Sequence, residues 1–167
     1  LNNFLERLLA AAISGYGRSG HHVKIKSVAI VIFAKLHALL GDGAGLAQAF
    51  QWNGAGSLRP CFWCVNLWSK GSDLAHRRPG GIETDCDNRS AFMKKTQKML
   101  GDEVDKLLDL IAKCDRGEVA QARLNEAQTA IGLSITRNGL LSSPMFREPG
   151  MHVVDLIRYE WMHTMLQ

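Results

Sequence analysis

Cys61 and Cys64 are separated by Phe62 and Trp63. Two thiols at that spacing can hold a metal, form a redox couple, or sit inert in a core. Zinc takes four nitrogen or sulfur ligands in a tetrahedron, and a Cys-x-x-Cys turn supplies half of them. His76 and Cys86 extend the pattern to Cys-x2-Cys-x11-His-x9-Cys, with His152 or His163 able to replace His76. The second pair lacks the tight spacing of a zinc finger. No thioredoxin-like βαβ pattern surrounds the first pair, which leaves redox catalysis without local support. The expectation is structural zinc at Cys61, Cys64, His76 and Cys86, with inert buried thiols as the rival. Cys114 lies on a helical pattern and reads as core.

Carboxylates are the second chemical feature. Asp42 stands between Gly41 and Gly43 at the end of an apolar run. Strand ends are where a rigid core delivers a side chain into a cleft. Glu160 lies beside Trp161 and close to His163. Mg²⁺ takes carboxylate oxygens, and pairs of such ions drive phosphoryl transfer on nucleic acids. The competing reading of Gly-Asp-Gly is a turn, in which Asp bonds its own backbone. Asp85, Asp87 and Asp155 carry no better argument. Gly41-Asp42-Gly43-Ala44-Gly45 lacks the Lys-Ser/Thr of a phosphate-binding P-loop and the full dinucleotide fingerprint. No local motif supports a Ser-His-Asp or Cys-His hydrolase.

The elements that must position these groups follow from periodicity. Residues 1–14 carry Phe4, Leu5, Leu8, Leu9, Ala12 and Ile13 at helical spacing, and Gly15 stops the helix. Val23 to Lys26 alternates as a strand with one wet face. Val28 to Phe33 is continuously apolar and rich in β-branched residues, and is expected as a central strand buried on both faces, either continuing towards Leu40 or giving way to a helix through Lys35–Leu40. Leu46 to Phe50 is a short helix and 53–57 a loop. Residues 60–90 hold three cysteines, two tryptophans and little periodicity, so an external staple is expected there. Residues 91–131 are helical: one helix interrupted or capped near Gly101-Asp102, a break at Arg116-Gly117, and a second helix ended by Gly132. Residues 132–149 are turn-rich, with Asn138-Gly139 as a tight turn. Val153 to Ile157 is a short strand or helix start, and Tyr159 to Leu166 a helix. No internal repeat or low-complexity tract is present.

The chain has 167 residues, a net charge of +4 and 46% hydrophobic residues. That is enough for one domain with a core, and the mild basicity permits nucleic-acid contact without demanding it. No apolar run is long enough for a transmembrane helix, and no membrane partner is expected. The chain opens on Leu1 and stops in mid-pattern at Gln167, so missing sequence is expected on both sides. Four cysteines would also permit disulfides in a secreted protein, but Cys-x-x-Cys reads more naturally as a metal or redox site in an intracellular one.

The ordered set Gly41-Asp42, a helix, Gly54-Ala55-Gly56-Ser57-Leu58-Arg59-Pro60-Cys61-x-x-Cys64-x-Asn66 resembles a segment of eukaryotic cut-and-paste transposases. The similarity is to the Kyakuja–Dileera–Zisupton and CACTA-like groups, in particular the transposase-like proteins of dinoflagellate genomes. Gly132-Leu133-Ser134, Asn138-Gly139-Leu140-Leu141 and Tyr159-Glu160-Trp161-Met162-His163 follow in the family's order. The resemblance spans roughly residue 25 to the C-terminus and rests on the order and spacing of blocks, not on any single block. It implies a ribonuclease-H-like core with a cysteine-bearing insertion, a DNA partner, a nuclear location, and two-metal strand transfer by a DDE/D triad. Asp42 matches the second acid, and the first would lie upstream of Leu1. The last block usually reads Asp-Trp-Met-His, and here Glu160 keeps the charge one methylene further out.

Together these give an α+β, mostly helical chain: a single partial domain with partial ribonuclease-H-like core in 1–57, a zinc-knuckle-like insertion in 58–90, a helical segment in 91–131, and a return to the core in 132–167. The expected catalytic residues are Asp42 and Glu160, with Asp42 on Mg²⁺. Arg59, Lys94 and Lys95 are expected to meet DNA phosphates. Oligomeric state is not legible. The rival is a non-catalytic, zinc-stabilised module that binds nucleic acid or protein. Trp63 and Trp68, with Arg59, Lys70, Arg77 and Arg78, would form its surface; the blander reading makes both tryptophans core and the basic residues a solvated face. A piece without independent function is a third reading.

Overall fold

The computed structural model describes residues 21–25, 28–32, 39–73, 75, 79–147 and 152–159. The amphipathic stretch 1–14, His76, Glu160, His163 and the helix expected beyond Tyr159 lie outside them. The described chain is α+β, with more residues in helices than in its short strands. Strands β1 (His21–Ile25) and β2 (Val28–Ile32) form an antiparallel hairpin, with Val23 opposite Ile30. β3 (Leu39–Gly41) leads into helix α1 (Gly43–Phe50). Two-residue strands β4 (Leu67–Trp68) and β5 (Ile82–Glu83) pair in parallel within the cysteine-bearing segment. Helices α2 (Gln97–Asp115) and α3 (Gln121–Ile131) follow. Single 3-10 turns, Leu140–Ser142 and Pro144–Arg147, lead to the one-turn helix α4 (Val153–Leu156) and strand β6 (Ile157–Tyr159).

β6 returns beside β3 and pairs with it in parallel, Leu39 opposite Ile157 and Gly41 opposite Tyr159. Parallel strands need a crossover connection, because the chain must travel back before running the same way again. Here the crossover is everything between β3 and β6. The cysteine turn and the two long helices are therefore an insertion between two strands that lie side by side.

The core sits where this insertion meets the strand pair. Leu100, Val104 and Leu107 recur on one face of α2 and are nearly inaccessible. They join Leu46 and Phe50 from α1, Leu124 from α3, Leu133, Ile135, Leu140, Leu141 and Phe146 from the turn-rich segment, and Val153, Val154 and Ile157. Phe50 is central to the aromatic part, with ring centroids 6.1 Å from Phe62 and 6.2 Å from Phe146, separations at which tilted and edge-on rings attract.

Two sequence expectations are corrected. β2 is not buried on both faces: Ala29, Ile30 and Val31 are exposed, and its only partner among the described residues is β1. α2 is not interrupted at Gly101-Asp102. It starts at Thr96, whose side chain accepts a hydrogen bond from the Met99 N–H, and runs through Gly101 unbroken. A mid-helix glycine costs about 1 kcal/mol; the buried row Leu100, Val104, Leu107 and the Lys98–Asp102 pair at 2.7 Å offset it. Gly132 stops α3 as expected. It takes φ of 82° and its N–H bonds the Gln128 carbonyl, the left-handed cap that glycine adopts without a Cβ penalty.

Candidate metal centre

The Cys-x-x-Cys turn is fixed by residues that are not cysteines. Phe62, between the two thiols, is 3% exposed and is anchored among Phe50, Trp52 and Trp63. The backbone then pairs with the segment before α2: Val65 N–H bonds the Met93 carbonyl at 3.0 Å and Lys95 N–H the Trp63 carbonyl at 2.6 Å, with Cys64 and Lys94 bridged antiparallel. Arg59 lies beneath the turn, its guanidinium 4.4 Å from the Trp68 ring centroid and donating to the Val65 carbonyl at 2.9 Å.

Within this frame the Cys61 and Cys64 Sγ atoms are 2.8 Å apart and both half-buried. The hydrogen bond from the Cys64 thiol lowers the Cys61 pKa to about 7, against burial, which raises it; the N–H groups of Trp63 and Cys64 and the positive charge of Lys95 also lower it. The same shared proton, with burial, raises the Cys64 thiol. Backbone N–H groups pointing at sulfur and nearby positive charge are what a thiolate ligand requires. Zinc at about 2.3 Å from each of two sulfurs in a tetrahedron holds them about 3.8 Å apart, so the pair fits half a site after opening by about 1 Å.

The other half is not assembled among the described residues, where no group of three or more His, Cys, Asp or Glu side chains comes together. Cys86 follows β5, its Sγ 3.9 Å from the Asn88 carbonyl. His152 is exposed at the start of α4. Cys114 sits near the end of α2, half-buried against the core, with Sγ 3.8 Å from the Ala120 carbonyl.

Asp42 is one residue past the last paired residue of β3. It caps α1, its Oδ1 accepting from Gly45 N–H at 2.5 Å, so a local structural role accompanies any chemical one. Glu160 follows Tyr159 in the sequence, and Tyr159 is the residue that pairs with Gly41. The two carboxylates thus hold equivalent places in the sequence relative to the last rung of one parallel ladder.

The three basic residues expected at phosphates divide. Lys94 is exposed and pairs with Asp155 at 2.5 Å. Arg59 and Lys95 are 4% and 3% exposed; Arg59 bonds carbonyls of the cysteine turn, and Lys95 reaches Glu103 at 2.7 Å. Trp68 is fully buried and Trp63 half-buried, its indole N–H donating to the Val154 carbonyl at 3.1 Å. Both tryptophans are core, as the blander sequence reading has it, but Arg59 is not part of a solvated face.

Asn66 is the organising residue to which sequence reasoning assigned no role. It is 6% exposed; its Nδ2 donates to the Gly80 and Ala91 carbonyls, each at 2.8 Å, and its Oδ1 accepts from Met93 N–H at 2.9 Å. One side chain therefore closes the long cysteine-bearing loop onto itself. Its place two residues after Cys64 in the resembling block was the available signal. No protein-family model, curated protein or solved structure matches the chain.

Proposed function

We propose that this chain is part of the catalytic core of a transposase-like protein, in which a DDE/D acidic site of ribonuclease-H-like type cleaves and joins DNA strands. The carrying observation is the parallel pairing of β3 with β6, which makes Asp42 and Glu160 the residues that follow opposite partners at one end of a strand pair. The C-terminal ends of parallel strands are where α/β sheets bind ligands. Asp42 and Glu160, with a third carboxylate expected ahead of Leu1, would hold two Mg²⁺ ions. When bound, such ions activate the attacking oxygen and neutralise the leaving one. Asp42 would contribute a carboxylate oriented by its bond to Gly45 N–H, and Glu160 would contribute from the position after β6. Cys61 and Cys64, completed by Cys86 and by His76 or, in its place, His152 or His163, would hold zinc as a structural clamp on the inserted segment. DNA is the partner, and the nucleus the location, on this reading.

A second reading has its own observation. Asp42 already has a structural task as the cap of α1, and the cysteine turn is built independently of it. A non-catalytic zinc-stabilised binding module would have the same two features.

Strand joining separates the two. Incubation of the protein extended ahead of Leu1 to carry the first acid, with Mn²⁺, an end-labelled duplex and a supercoiled plasmid, should yield joined product, lost in Asp42→Asn and Glu160→Gln. Neither cleavage nor joining by that extended protein, with zinc still taken up, would favour the binding module.

A further inference from the structure

The cysteine pair lies in a frame that holds its backbone without using either sulfur. Phe62 is buried between the two thiols, Lys95 N–H bonds the Trp63 carbonyl at 2.6 Å, and Arg59 donates to the Val65 carbonyl at 2.9 Å. The thiols are consequently presented to each other before any metal arrives, with Sγ atoms 2.8 Å apart and half-buried. The other two cysteines bond backbone carbonyls instead, Cys86 that of Asn88 and Cys114 that of Ala120.

A disulfide requires sulfurs about 2.05 Å apart, so the pair closes by moving together about 0.8 Å. Holding zinc needs the sulfurs to move apart by a similar amount. The two states therefore use the same turn, the same atoms and opposite small displacements. They exclude each other, because a disulfide leaves neither sulfur as a thiolate ligand.

We infer that Cys61 and Cys64 form a redox-controlled metal site, in which a small-molecule disulfide converts the zinc-binding dithiol into an intramolecular disulfide and so releases the metal. This rests on the zinc reading of the pair. In the exchange, the thiolate of one cysteine attacks a sulfur of oxidised glutathione. A mixed disulfide forms and one glutathione thiolate leaves. The second cysteine, its proton lost to solvent, attacks the protein sulfur of that mixed disulfide and displaces the second glutathione. The protein dithiol loses two electrons and two protons, and one oxidised glutathione becomes two reduced ones. Half-exposure of both thiols admits the reagent, and the adjacency of the sulfurs favours ring closure over a lasting glutathione adduct.

The test uses the full chain, with Cys86→Ser/Cys114→Ser as a second protein that keeps only the pair. Each is reduced, stripped of metal and equilibrated with glutathione mixtures. It is then acid-quenched for intact mass and peptide mapping, and titrated with zinc sulfate against a chromogenic zinc indicator. The expected result is a Cys61–Cys64 disulfide in both proteins. Zinc uptake of about one per chain by the reduced full chain should be abolished on oxidation and restored by a phosphine reductant, whereas the double variant, which lacks the Cys86 ligand, serves only to locate the disulfide. Zinc uptake that survives oxidation, or glutathione adducts with no Cys61–Cys64 bond, would overturn this inference alone. No zinc uptake by the reduced chain would overturn the zinc reading and this inference with it.

Discussion

The ion pair beneath the cysteine turn makes an asymmetric prediction. Lys95 is 2% exposed in its side chain and Glu103 24%, with Nζ and Oε2 at 2.7 Å. At an effective dielectric constant of about 20 their gross attraction is roughly 6 kcal/mol, most of it offset by desolvation. The informative perturbation removes one partner. In Glu103→Gln the ammonium stays where water cannot reach it, beside the Phe62 ring at 5.7 Å. Leaving an uncompensated buried charge costs about 3 kcal/mol or more. In Lys95→Met the buried charge disappears, the methylene stem keeps its packing, and Glu103 turns to solvent; about 1 kcal/mol is expected. With a urea slope of about 2 kcal/mol/M, the midpoints fall by about 1.5 M and 0.5 M. Urea unfolding at neutral pH, followed by far-UV circular dichroism, measures both. The double variant Lys95→Met/Glu103→Leu should recover most of the Glu103→Gln loss. Equal losses for the two single variants, or a Glu103→Gln midpoint within 0.3 M of the parent, would refute the reasoning.

Other expectations follow from the same frame. Asn66→Ala removes three buried hydrogen bonds and should cost about 3 kcal/mol, seen as accelerated proteolysis between residues 66 and 93 and a lower urea midpoint. Gly132→Ala would place a Cβ 2.5 Å from the Arg59 Cβ at a φ of +82°; strain and overlap together should cost about 2–4 kcal/mol in a urea titration. In the reduced, metal-free chain, alkylation of Cys61 should accelerate as pH rises through about 7, where its thiolate forms, and fade below it, while Cys64 reacts more slowly; peptide mass spectrometry resolves the two. Metal removal should leave the helical circular-dichroism signal intact, and added zinc should raise the urea midpoint, since the turn is framed by Phe62, Arg59 and Lys95 and a ligand stabilises only by linkage.

What was legible in the sequence divides by the range of the interaction. Local signals were sound where one residue decides the backbone. Gly132 stops α3 because only its left-handed conformation closes the cap, and Asp42 falls at a strand end as its place after an apolar run implies. Gly101 misled, because its local cost is outweighed by a buried helix face that no single residue reveals. The β-branched run Val28–Ile32 suggested a strand covered on both sides, but hydropathy records the wish to be buried, not the presence of a covering layer. The long-range partners were out of reach: nothing near Arg59 announces Trp68 and the Val65 carbonyl, and nothing near Lys95 announces Glu103. Basic residues beside a Cys-x-x-Cys turn read as a nucleic-acid surface, and two of the three are interior supports for that turn. The cysteine pair itself was legible at once, because two thiols two residues apart are encoded in four consecutive residues.

On the proposed function, Asp42 and Glu160 share a divalent metal at the end of the β3–β6 pair. The most direct test is Mn²⁺ titration followed by the loss of the free-ion electron paramagnetic resonance signal. Asp42→Asn is the decisive variant, because Asn caps a helix nearly as well as Asp and so removes the charge while keeping α1. Mn²⁺ is expected to bind the parent chain and to be lost in both Asp42→Asn and Glu160→Gln, with urea midpoints unchanged. Mn²⁺ binding that persists in Asp42→Asn, or a parent chain that binds none, would contradict this expectation and leave Asp42 as a helix cap alone.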